Sequence, residues 1–213
     1  MVEQPLIVVR GSAVRQVPPE QAVFSAVISA RDRDRDSVLT RLVERSAELR
    51  ALLDGYGDAV ARRETGAFQV YPELKRTSEK VVAYTGNVVT TVTVVDFGPL
   101  GEMLLKLGRL DHASVSGPWW QLRPGSSAGA EVRKMAIGDA LDHAREYAAA
   151  VGARVDRLVE IADEGTAVDV GLAARGAAFG METPAGLDLD PQQQTVQASV
   201  IVRVTITEPQ LDR

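Results

Sequence analysis

The sequence predicts an α+β fold of antiparallel β-hairpins with covering helices, on three observations. Of its 213 residues 45% are hydrophobic and 25% charged, a balance suited to a globular core. Runs rich in Val, Ile and Thr arrive in neighbouring pairs, and segments of helical periodicity fall between those pairs. That order suits helices laid on antiparallel sheet better than a doubly wound parallel one.

Residues 6–14 and 22–30 read as two strands separated by the turn-prone Val17-Pro18-Pro19-Glu20, and a hairpin between them is expected. The run Arg31-Asp32-Arg33-Asp34-Arg35-Asp36 follows. Its charges cancel and a helix begins there, so it reads as a solvated edge in which Asp34 or Asp36 accepts bonds from first-turn N–H groups. Over residues 37–53, Leu39, Leu42, Val43, Leu49 and Leu53 recur at helical steps, with Gly55 and Gly57 to stop the helix. Residues 60–71 and 81–95 form a second strand pair joined by a polar connection. The β-branched stretch from Val88 to Val95 is the strongest strand signal, and Gly86 marks a bulge or a close backbone approach.

A short helix over 100–107 precedes a strand over 113–122 that contains Pro118-Trp119-Trp120. The longest helix, 127–151, places Val132, Ala136, Ala140, Ala144 and Ala148 on one smooth face that can lie close to a sheet, and Gly152 is its expected cap. A short strand follows over 156–162. Residues 164–193 show little periodicity and many Gly and Ala, which predicts a mobile or functional loop. The chain closes on a long strand in which Val196, Ala198, Val200, Val202, Val204 and Ile206 share a core face.

Functional chemistry is thinly represented. With no cysteine and two histidines, disulfides, thiolate nucleophiles and Cys/His zinc sites are excluded, and no metal or other cofactor is expected. A formal charge of −5 disfavours nucleic acid as a partner, because binding phosphates needs clustered Lys and Arg. The N-terminal apolar run is too short for a leader or a membrane span, so the chain as written is expected in the cytoplasm. His112 and His143 each follow an aspartate, but no nucleophile elbow accompanies either, and both read as surface or loop imidazoles. Asp188 and Asp190, with Glu182, lack the Gly and terminal Glu of a calcium loop. No catalytic residue is therefore assigned. Trp119 and Trp120 are candidate interface residues: neighbours on a strand face opposite ways, so at most one enters a given core while the other meets solvent, another layer or another chain. Tyr71 and Tyr84 carry the same alternatives.

Several segments in order resemble the SIMPL-domain family. They are Val8-Val9-Arg10-Gly11-Ser12-Ala13 with Val17-Pro18-Pro19-Glu20-Gln21-Ala22, then Thr65-Gly66-Ala67-Phe68-Gln69-Val70-Tyr71-Pro72, then Ala83-Tyr84-Thr85-Gly86-Asn87. The alanine-faced helix and Val196-Gln197-Ala198-Ser199-Val200 complete the likeness. The resemblance implies a single SIMPL-like domain over 6–207 and, for some members, large homo-oligomeric rings. It also implies that many bacterial relatives are exported and linked to envelope or oxidative stress, whereas the eukaryotic namesake is a signalling adaptor. Pro19-Glu20 replaces the family's usual Pro-Asp, and the family supplies no catalytic residues to transfer.

The leading expectation is a non-enzymatic homo-oligomer that acts as a self-associating scaffold or through a binding surface. Two alternatives are a small-molecule binder or cryptic hydrolase with residues 164–193 as a lid, and an adaptor for a partner protein.

Overall fold

The computed structural model of the chain describes residues 4–75, 79–169 and 187–210. Its strands are β1 (Leu6–Val17), β2 (Gln21–Asp32), β3 (Val60–Leu74), β4 (Val81–Val94), β5 (Ala113–Gln121), β6 (Val155–Asp169) and β7 (Gln194–Ile206). Among the described residues three α-helices lie between them: α1 (Arg35–Asp54), α2 (Leu100–Gly108) and α3 (Ala128–Ala150). All strand pairings are antiparallel, so the α+β expectation holds. The elements gather into two compact units, one holding β1, α3, β6 and β7 and the other the contiguous run from β2 to β5.

In the first unit the strand order is β1-β7-β6. The alternation in β7 does as its pattern predicts: Val196, Ala198, Val200, Val202, Val204 and Ile206 are all buried. Facing them, Val132, Ala136, Ala140, Ala144 and Ala148 of α3 are buried as well. Small side chains let the helix approach closely, and Gly11 of β1 shows how closely. A Cβ there would collide with the Ala136 carbonyl oxygen and lie 2.5 Å from the Ala140 nitrogen. Gly152, at φ +68°, ends the helix in the left-handed region that favours glycine.

The hairpin expected between the first two strands does not form. β1 pairs along its length with β7, from Leu6↔Thr205 to Val17↔Gln194, while β2 is flanked by β4 and β5. Pro18 and Pro19 explain part of this: each lacks an N–H and fixes φ, and the residue before a proline is pushed to extended backbone. The connection therefore carries the chain onward from one sheet to the next. A second difference concerns β6, which continues to Asp169, so residues 164–169 of the expected loop are strand. Residues 170–186 lie outside the described residues. At the far end of that segment the Leu187 carbonyl oxygen rests on Gly101 of α2, and Leu189 packs on the second unit's core.

The second unit has the order β3-β4-β2-β5. Ala22, Phe24, Ala26, Ile28 and Ala30 of β2 point to one face, where both α1 and α2 join a single apolar cluster. Asp34 is the cap of α1, accepting the Ser37 N–H at 2.8 Å. The buried face of α1 is Val38, Leu42, Leu49 and Leu53, rather than the stripe expected to include Leu39 and Val43. Steps of four and seven hold those four side chains in one line, whereas Val43 is turned about 100° from Leu42 and stands 71% exposed. Gly86 of β4 is a close approach: a Cβ there would lie 2.6 Å from Leu42 Cδ1 and 2.8 Å from Val38 Cγ1.

Candidate interaction surfaces

The four aromatic candidates all belong to the second unit and are not gathered into one site. Trp120 pairs with Ala22 and shares its face, so it enters the core, where its ring meets Phe97 edge-on at 4.9 Å. Trp119 pairs with Val23 and therefore takes the opposite face, 47% exposed. The period-two reading of this pair is what the structure shows. Tyr84, on β4, is half-buried against the core cluster, while Tyr71, on β3, is 46% exposed.

β3 is the longer of the two edges of this sheet, and along its fifteen residues no side chain is fully buried. An edge strand presents unpaired N–H and C=O groups on its outer side, a template for another strand. Leu74 of β3 and Val81 and Val82 of β4 extend the exposed apolar surface beside Tyr71. The other edge, β5, has nine residues and a register shift against β2, and its Pro118 has no N–H to offer. β3 also carries a proline, Pro72, and register shifts at three places against β4, so what sets it apart is its greater length.

Beside Tyr71 lies an ionic clamp. Arg31 donates to both carboxylate oxygens of Glu73 at 2.6–2.9 Å, and the Thr85 hydroxyl donates to the same carboxylate. These donors hold the Glu73 carboxyl down to about 2, with the Arg31 bond the larger cause. The clamp ties the end of β3 across β4 to β2. The rest of the alternating charge run is solvated, with Asp32 paired to Arg41 at 2.7 Å.

The histidines lie apart. His112 Nε2 is 3.2 Å from Glu48, and the neighbouring Ser29 hydroxyl donates to the His112 backbone carbonyl rather than to its ring. His143 is exposed on α3 near Asp139. Among the described residues no group of three or more His, Asp or Glu could hold a metal ion, and Glu182 lies outside them.

One feature escaped the sequence reading. α1 packs on β2 and β4 and leaves the core-side face of β3 largely uncovered, forming a groove of about 460 Å³. Its floor is Leu42, Leu49, Leu53, Phe68 and Val88, its wall Val43 and Ala47, and its polar rim includes Arg50, Arg63, Thr65 and Thr90. The sequence pattern placed Val43 in the helical stripe, and its 71% exposure in the folded chain marks the missing cover.

A family model spans residues 7–204, that of SIMPL, described as a protein of unknown function (DUF541). The chain belongs to the SIMPL family. The match runs from β1 into β7, so the family pattern covers both units. No curated protein matches the chain. No described helix of this SIMPL chain is long and apolar enough to cross a membrane.

Proposed function

We propose that this SIMPL-family protein is a non-enzymatic, self-associating scaffold whose subunits meet along the long outer edge of β3. The observation that carries the reading is that edge: a fifteen-residue strand paired on one side only, bordered by the exposed Tyr71, Leu74, Val81 and Val82. Two copies related by a two-fold axis can pair β3 with β3 antiparallel, extending each four-stranded sheet into its neighbour. Edge pairing alone is small against the roughly 1,200–2,000 Å² buried in a stable interface, so the exposed apolar side chains beside it must contribute. Among the described residues the His112 ring lies against Glu48 and the His143 ring near Asp139, with no hydroxyl bonded to either, which supports the non-enzymatic part.

Light scattering coupled to gel filtration tests this directly. The expected result is a particle at a multiple of 22.9 kDa at micromolar concentration, reduced toward the monomer by Tyr71→Lys, which places a charge in the contact. A strictly monomeric wild-type chain refutes the proposal. A role in stress response rests on the family resemblance alone, and induction of the protein by peroxide tests it.

A further inference from the structure

We propose that the groove between α1 and β3 is a binding site for a linear aliphatic carboxylate, with the carboxylate at Arg50 and the chain lying over Leu42, Phe68 and Val88. This inference is independent of self-association. It uses the helix-covered face of the sheet, whereas edge pairing uses backbone groups in the sheet plane.

Shape and polarity define the ligand class. The groove volume lies within the about 300–1,000 Å³ typical of ligand clefts. Its floor is aliphatic and aromatic without a buried charge, which favours a hydrocarbon chain over a sugar or a nucleotide. Phe68 is 58% exposed although it faces the same side of the sheet as the core, so a chain laid beside it removes apolar surface from water on both partners. The elongated form follows from the groove's walls, a helix on one side and a strand on the other.

Charge defines the head group. Two guanidinium groups stand at the rim, and they are not equivalent. Arg63 is engaged, bridged to Asp54 at 2.6 Å and donating to the Arg50 carbonyl at 3.2 Å. Arg50 is exposed and has no ion-pair partner among the described residues. The two acids nearest in sequence have other partners, Asp54 being bridged to Arg63 and Glu48 lying 3.2 Å from His112 Nε2. An uncommitted guanidinium at the polar rim of a groove with an apolar floor complements a carboxylate, which it can bind through two parallel bonds. Thr65 and Thr90 add hydroxyl groups to that rim.

Calorimetry with the full chain and octanoate, decanoate and dodecanoate, below their micelle concentrations, tests the assignment. The expected result is a Kd that falls about fourfold for each methylene the groove accepts, with dodecyltrimethylammonium binding at least tenfold more weakly than dodecanoate. Arg50→Gln is expected to erase that preference for the anion, and Phe68→Ala to weaken every chain length. Amide shifts on dodecanoate addition are expected in α1, β3 and β4, and the rest of the spectrum serves as the check that each variant is folded. A Kd independent of chain length, equal affinity for anion and cation, an unchanged preference in folded Arg50→Gln, or shifts confined to another part of the chain would each overturn the proposal.

Discussion

Replacing Gly11 by alanine adds one methyl group at the place where β1 meets α3. The new Cβ would collide with the Ala136 carbonyl oxygen and lie 2.5 Å from the Ala140 nitrogen and 2.6 Å from its Cβ. Two of these three atoms are helix backbone, held by the intrahelical ladder, so relief requires moving strand and helix apart along a tightly packed face. Overpacking of a core costs about 1–3 kcal/mol, and a clash with backbone belongs at the upper end, about 3 kcal/mol. With a urea dependence of about 2 kcal/mol per molar, the unfolding midpoint falls by about 1.5 M. Gly138→Ala is the opposite case in the same unit. Gly138 is exposed within α3, a Cβ there meets nothing within 4 Å, and the exchange should gain about 1 kcal/mol from helix propensity, raising the midpoint by about 0.5 M. Urea titration followed through amide signals of β7 reads the unit concerned. A Gly11→Ala variant within about 0.5 kcal/mol of wild type, the spread of ordinary surface substitutions, would refute the packing argument.

Three further predictions follow from the second unit. Because the folded Glu73 carboxyl sits near 2 and its unfolded value is about 4.3, the clamp's stabilisation is fully present above the unfolded value and lost as pH falls through the folded one. The Tm of wild type should therefore exceed that of Glu73→Gln at neutral pH, with the gap closing as pH approaches 2; a constant gap contradicts the assignment. Phe24→Ala, at a fully buried position, should cost about 3–5 kcal/mol in denaturant unfolding, and a cost below about 1 kcal/mol would show that the site collapses or is not core. Acrylamide should quench the fluorescence of Trp120→Phe, which retains Trp119, more strongly than that of Trp119→Phe, and the reverse order would place the two rings on the wrong faces.

Much of the fold was legible because local periodicity carries it. The buried alternation of β7, the small-residue face of α3 and the opposed directions of Trp119 and Trp120 all follow from the two- and 3.6-residue repeats. The partner of β1 was not legible, because an alternating strand states which face is buried and not which strand lies beside it. Proximity in sequence favoured β2, yet the prolines between them and the two-sided pairing of β2 leave β1 to β7. The groove was illegible for a related reason. It exists because α1, although it directly precedes β3 in the chain, packs on β2 and β4, and local periodicity does not state which strands a helix covers.

The pairing of β1 with β7 also sets an order of events during synthesis. Every strand of the sheet from β2 to β5 is synthesised before α3, so that sheet can close while the chain is still growing. β1 emerges first and yet, among the described residues, pairs with the last strand alone, Gln194–Ile206. Throughout translation it is a Val-rich segment with an unanswered backbone, exposed to chaperones or to the β1 of a neighbouring nascent chain. A truncated product that stops before β7 would contain a finished four-stranded sheet and an orphaned first strand.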